Sequence, residues 1–220
     1  MADELTEPTA AMVEVMSLAG DVDALARYYA RWAETYDEDV STHGYALPDM
    51  MVATLLRTAE LVPDAGLSAT DIEIVDAGCG TGLVGAALAE AGYRVIDGID
   101  LSSEMIEVAR ARAVYRTLEA GIDLTESPPE HLAGGADVVM IAGVFTVGHI
   151  PPEALATVAQ LCRKGGFLIV STRQAYYDST DYQAVSDGLV AEGRLELVLQ
   201  IDDGPYTMDS KARYWSYRVV

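Results

Sequence analysis

Residues 75–82 read Val75-Asp76-Ala77-Gly78-Cys79-Gly80-Thr81-Gly82. The apolar run Ile72–Val75 leads into them with the length and composition of a short strand, and Leu83–Ala91 follows with helical patterning. Glycines at a strand-to-helix turn permit positive φ and let a ligand approach the backbone, while the helix start offers N–H groups. The spacing discriminates between ligands. A dinucleotide fingerprint needs glycine at 78, 80 and 83, and position 83 is leucine. The loop is D-x-G-x-G-x-G, and its leading carboxylate, Asp76, suits a cationic amine better than a pyrophosphate.

Downstream, a second strand over Arg94–Ile99 ends in Gly98-Ile99-Asp100-Leu101-Ser102. Asp100 stands 18 residues after Gly82, where a carboxylate accepts hydrogen bonds from both hydroxyls of an adenosine ribose; the other reading is an acidic helix cap. Ser102 is a fitting N-cap, with Glu104 in the first turn, for a helix over Glu104–Tyr115. Strands are predicted near Gly121–Leu124 and Asp137–Ala142. Pro151-Pro152-Glu153 opens a helix, and Gly165-Gly166 leads into a strand over Phe167–Thr172. A helix over Tyr182–Ala191 precedes two β-rich runs, Leu195–Ile201 and Ala212–Val220. Their connection is too short for a helical crossover, so they pair antiparallel. Alternation of apolar strands and helices predicts an α/β fold: a doubly wound, mostly parallel, seven-stranded Rossmann-like sheet with a C-terminal antiparallel hairpin. Ligands in such sheets bind beyond the carboxyl ends of the strands.

Upstream, residues from about 21 to 39 carry helical spacing, with Tyr29, Trp32 and Tyr36 on one face. His43-Gly44-Tyr45 breaks this helix, Pro48 starts another that runs to about Leu61, and Pro63–Gly66 is a turn. Residues 1–66 therefore read as an N-terminal helical part and 67–220 as the ligand-binding domain, integrated into one unit. The aromatic stripe is either core packing or a set of rings closing over a ligand, where a cation would gain cation–π attraction of about 1 kcal/mol. Tyr28 and Asp37 on this segment are candidate substrate contacts.

The chain has 220 residues, 35 acids against 14 bases and a net charge of −21. That balance repels polyphosphate and anionic surfaces, so neither nucleic acid nor membrane is expected as a partner. Ten acids fall in the first 40 residues, either a solvated face or an attraction for a cationic ligand. MADELTEP lacks the marks of a signal peptide, no apolar run approaches the ~20 residues of a membrane span, and Cys79 and Cys162 are too far apart to suggest a metal site. A cytoplasmic protein, monomer or homodimer, is expected.

Five residues near strand ends and in the hairpin connection bear on acceptor chemistry. His149 is a candidate proton acceptor, or else a satisfied loop histidine. Arg173, with Tyr176 and Tyr177 after it, and Tyr206 in the hairpin connection are candidate substrate contacts; Arg173 favours a carboxylate or phosphate, or pairs with one of the many acids.

At the glycine loop and Asp100 the chain resembles the class I S-adenosylmethionine-dependent methyltransferases. It is especially similar to the small methyltransferase-like proteins named after the Williams–Beuren chromosomal region and their bacterial relatives. The likeness extends through Tyr29–Val40, Gly44-Tyr45, Gly98–Ala109 and Gly143–Leu155. It departs at Val147, where members often carry histidine, and at Arg163-Lys164-Gly165-Gly166, where they usually have Lys-Pro-Gly-Gly. The resemblance implies S-adenosylmethionine as cofactor, leaving S-adenosylhomocysteine. Its methionine end would lie over Gly78, Cys79, Gly80, Thr81 and Gly82, and its ribose on Asp100. Leu101 and Met105 would line the adenine pocket, with Asp123-Leu124 near the adenine amino group. Gly143 and Val144 would border the methyl, and Tyr29, Trp32 and Tyr36 would close over the whole, which makes the helical part, residues 1–66, a lid. The implied reaction is in-line methyl transfer to a small-molecule O, N or C nucleophile. A protein that binds the cofactor without transferring methyl, and a nicotinamide oxidoreductase, are the rival readings.

Overall fold

A computed structural model describes residues 22–220. The first half of the acidic N-terminal stretch and the start of the expected lid, residues 1–21, lie outside the described residues. Eight α-helices and seven strands follow among those described. The helices are α1 (Val22–Trp32), α2 (Tyr36–Ser41), α3 (Leu47–Leu61), α4 (Leu83–Glu90), α5 (Ser103–Ala111), α6 (Ala154–Val158), α7 (Gln174–Ser179) and α8 (Tyr182–Ala191). The strands are β1 (Glu73–Ala77), β2 (Val95–Asp100), β3 (Thr117–Ala120), β4 (Ala136–Phe145), β5 (Cys162–Arg173), β6 (Leu195–Pro205) and β7 (Lys211–Val219).

The strands form one sheet in the order β3-β2-β1-β4-β5-β7-β6. The first five run parallel, and β7 lies antiparallel between β5 and β6. Both faces are covered, which is why the strands read as continuous apolar runs. Successive residues take opposite sides: Ile74, Val138, Met140 and Ile169 pack beneath Leu47, Met51 and Leu55 of α3. Val75, Val139, Ile141 and Val170 pack against Leu155 and Val158 of α6 and against Trp215. Chain order reverses between β1 and β4, so a crevice opens there at the carboxyl edge. No helix among the described residues is long and apolar enough to cross a membrane.

Several boundaries differ from the sequence reading. The single N-terminal helix is two, α1 and α2, separated by a turn in which Thr35 N–H donates to the Trp32 carbonyl. The third strand lies four residues earlier than Gly121–Leu124: Gly121 at φ 77° turns the chain out of the sheet, leaving Ile122–Leu124 as a loop. Helix α5 stops at Ala111, because Ala113 has left the helical region at φ 55°. Helix α7, absent from the sequence reading, takes up the residues after Arg173.

Candidate active site

The glycine loop closes on itself. The N–H groups of Gly78 and Cys79 both donate to the Ile99 carbonyl, at 2.8 and 3.0 Å, and Gly82 N–H donates to the Cys79 carbonyl. Gly80 N–H donates to Asp100 Oδ2 at 2.8 Å. These amides are therefore committed within the fold and do not form the anion cradle of a phosphate loop. Gly78 (φ 73°) is required twice over, since a Cβ there would lie 2.5 Å from Val144 Cγ2. Nothing lies within 4 Å of where a Cβ on Gly80 would sit, so that position is an open approach to the backbone.

Asp76 does not reach the crevice. It is buried, accepts the Tyr115 hydroxyl at 2.7 Å, and burial pushes its pKa up to about 7 against the downward pull of that bond. The Tyr115 ring lies so close to Gly82, Gly85 and Gly98 that a Cβ on any of them would meet it at 3.0 Å or less. Tyr115 is thus a pillar beneath the loop. The expected pairing of Asp76 with a ligand amine is corrected to a structural role, since the carboxylate is fully buried, is held by Tyr115 and does not line the cavity.

The crevice between β1 and β4 holds a cavity of about 820 Å³, counting its open mouth. Gly78, Gly80, Asp100, Leu101 and Met105 form one wall, and Asp123 and Leu124 a second with Ile122. Gly143, Val144 and His149 lie opposite, beside Ala142 and Ile150, while Tyr29, Tyr36 and Leu25 of the N-terminal helices cover the opening. Asp100 ends β2 with each carboxylate oxygen accepting one backbone N–H, Oδ2 from Gly80 and Oδ1 from Ser102 (2.8 Å each). Burial raises its pKa, offset by these bonds. Asp123 Oδ1 accepts from the Thr125 N–H and hydroxyl, which fixes its carboxylate in an Asx-type turn.

His149 is held at both nitrogens. Nδ1 lies 3.3 Å from the Val147 carbonyl, which can only accept, so Nδ1 carries the proton and Nε2 accepts the Tyr29 hydroxyl at 2.6 Å. Burial depresses its pKa to about 4, the Val147 contact opposes this, and the nearby charge of Arg173 adds to it. The imidazole is neutral at ordinary pH.

Other expected site residues lie off the cavity wall. Trp32 donates from Nε1 to Asp39 Oδ2 at 2.6 Å and stacks beside Tyr29. Tyr28 is buried against Leu25 and Trp32 within the N-terminal cluster. Cys79 is buried with its Sγ toward Gly98, and Thr81 is buried with its hydroxyl donating to Asp37 Oδ1 at 2.6 Å. Arg112 pairs with the other oxygen of Asp37 and donates from Nε to the Thr81 carbonyl. Asp37 thereby ties α2 to the glycine loop. Tyr176 is corrected outright: it is 2% exposed, packs with Phe145 and Tyr182, and donates its hydroxyl to the Ile150 carbonyl at 2.8 Å. Tyr177 stacks under Arg213 on the same side as Trp215. Tyr206 stands behind Gly143: a Cβ on that glycine would lie 3.4 Å from the hydroxyls of both Tyr206 and Tyr45. Tyr45, Tyr115 and Arg112 were missed in the sequence because their partners are remote along the chain. The only sequence hint of Tyr115 is the smallness of residues 85 and 98.

A methyltransferase-domain family matches residues 74–166. Methyltransferase-like protein 27 of Homo sapiens is 31% identical over 183 residues, which cover 78% of this chain and 71% of that protein. The chain belongs to the class I S-adenosylmethionine-dependent methyltransferases, a family whose cofactor is S-adenosylmethionine. The ubiquinone biosynthesis O-methyltransferase of Bordetella bronchiseptica is 28% identical over 69% of this chain and 60% of its own length. Among solved structures, magnesium protoporphyrin IX methyltransferase of Synechocystis PCC 6803 superposes with a TM-score of 0.62 at 20% identity, over 91% of this chain and 97% of that one. The last likeness is one of fold.

Proposed function

We propose that the chain transfers the methyl group of S-adenosylmethionine to a small-molecule acceptor in the β1/β4 crevice. The observation that carries this is Asp100. Each of its oxygens is anchored by one backbone N–H and keeps a further lone pair, beside a glycine surface open at Gly80. A neighbouring pair of ribose hydroxyls fits those acceptor sites. Leu101, Met105 and Leu124 supply an apolar slot for a purine, and Asp123 Oδ2 an acceptor for an exocyclic amine. When bound, the cofactor supplies an electrophilic methyl on a sulfonium whose leaving thioether is neutral.

The protein's own part is positioning and exclusion of water, the terms that dominate when no strong base is needed. Tyr29 and Tyr36 cover the site, Gly143 leaves room on the acceptor side, and neutral His149 Nε2 is placed to accept a hydrogen bond from a protonated nucleophile once the Tyr29 hydroxyl moves aside. Coverage by α1 and α2, together with the charge of −21, supports a small acceptor over a macromolecular or polyanionic one. The test is formation of S-adenosylhomocysteine with fractionated cell extract: the activity should follow the low-molecular-mass fraction. Activity confined to the protein or nucleic-acid fraction would overturn the small-acceptor reading.

A further inference from the structure

Arg173 is the last residue of β5, and strand alternation puts Ile169, Ser171 and Arg173 on one face. Ser171 Oγ accepts the Gly143 N–H at 2.9 Å, so that face leads to the acceptor-side wall of the cavity. Arg173 and Tyr206 lie behind that wall rather than on it, with the Arg173 guanidinium 4.9 Å over the Tyr206 ring. Tyr206 is itself fixed: its carbonyl accepts the Ala46 N–H at 2.9 Å, and Tyr45 meets its ring edge-on at 5.4 Å. The hydroxyls of Tyr36, Tyr45 and Tyr206 interact with one another, and those of Tyr45 and Tyr206 reach the wall at Gly143.

In a chain with 35 acids and 14 bases, an arginine near strand ends would be expected to find a carboxylate. Arg112, Arg116, Arg163 and Arg213 do so, with Asp37, Asp97, Asp137 and Asp202. Arg173 makes no ion pair among the described residues; a tyrosine ring holds it, leaving its N–H fork unspent. Its charge is near enough to His149 to oppose protonation there.

Building on the methyl-transfer reading above, we propose that the acceptor carries a carboxylate, received by Arg173 and the tyrosine hydroxyls beyond Gly143. The fork matches a planar carboxylate in two parallel hydrogen bonds. Burial keeps the phenols of Tyr36 and Tyr45 protonated, so they donate rather than repel. One guanidinium balances one negative charge, and a phosphate dianion would meet the surplus acidity of the chain with its second charge unmatched. The carboxylate orients the molecule so that its nucleophilic atom lies between His149 and Gly143.

The test uses benzoate, benzamide and phenyl phosphate as probes, titrated calorimetrically into the complex with S-adenosylhomocysteine and into the ligand-free protein. Benzoate should bind at least about tenfold more tightly than benzamide. Arg173→Gln should erase that ratio while S-adenosylhomocysteine affinity is retained, and Arg173→Lys should restore part of it. Equal binding of benzoate and benzamide, binding of neither, or a ratio unchanged in Arg173→Gln overturns the proposal. Phenyl phosphate binding tenfold above benzoate replaces carboxylate by phosphate. Loss of S-adenosylhomocysteine affinity in Arg173→Gln would assign the arginine to the cofactor's own carboxylate, which also overturns it. Failure of the wild-type protein to bind S-adenosylhomocysteine sinks the cofactor reading alone, since the ligand-free titration still decides on Arg173.

Discussion

At the scale of the residue, the Tyr29–His149 contact carries the most chemistry. The Tyr29 hydroxyl stabilises the unprotonated Nε2, so its removal relieves one of the forces that keep the imidazole neutral. Burial, the main cause of the depression, persists in Tyr29→Phe, so the variant is expected to raise the His149 pKa modestly above about 4, read from the imidazole resonances in an NMR titration. An unchanged value would show that the hydroxyl does not govern Nε2. Gly78→Ala combines a φ of 73° with a Cβ 2.5 Å from Val144, and should cost about 1–3 kcal/mol of stability by strain and overpacking, measured by urea unfolding. The glycines and Asp100 were legible in the sequence because backbone geometry restricts what can stand there. The role of Asp76 was not: a carboxylate held by a tyrosine 39 residues away leaves no local signature. Nor did spacing reveal that Tyr176 turns into the core.

At the scale of the element, α2 is fastened to the glycine loop through Asp37, with Thr81 and Arg112 as partners. The Asp37 side chain is 42% exposed, so its ion pair contributes at most about 1 kcal/mol, a factor of about five. Asp37→Asn should therefore weaken S-adenosylhomocysteine binding up to about fivefold with little change in unfolding midpoint, and the difference should shrink at high salt. A loss independent of salt would assign Asp37 a direct ligand contact. Long, strongly patterned elements such as α3, α8 and β4 were legible because burial repeats at every turn or pleat. The six residues of α7 are too few to establish a period. The chain reading of β3 slipped four residues because Ile122 and Leu124 are buried as cavity wall rather than as strand.

At the scale of the whole molecule, two desolvated groups, one half-buried and one buried, oppose each other in pH. The His149 pKa is lowered, so its contribution to stability is complete above about 6.5 and is lost as pH falls toward 4. The Asp76 pKa is raised, so its contribution is complete below about 3.8 and is lost as pH rises through about 7. Asp76→Asn removes the second slope alone. Its stability relative to wild type should rise steadily between pH 4 and 7 in urea unfolding, and a pH-independent difference would show that Asp76 is not held near neutrality. The mostly parallel sheet, its antiparallel C-terminal hairpin and a ligand site beyond the strands' carboxyl ends were legible from strand–helix alternation; the strand order and the cavity's far wall were not, since strand order depends on contacts remote along the chain and Leu25, Ala142 and Ile150 carry no chemical mark.

The central claim is that Asp100 and the glycine loop hold the cofactor, and calorimetry tests it most directly. S-adenosylmethionine and S-adenosylhomocysteine should bind the wild-type protein at micromolar concentration while NAD does not. Asp100→Ala should weaken both by at least about ten- to a hundredfold, the worth of a single hydrogen bond to a charged group. Binding unaffected by Asp100→Ala, or no binding of either ligand, would contradict the account.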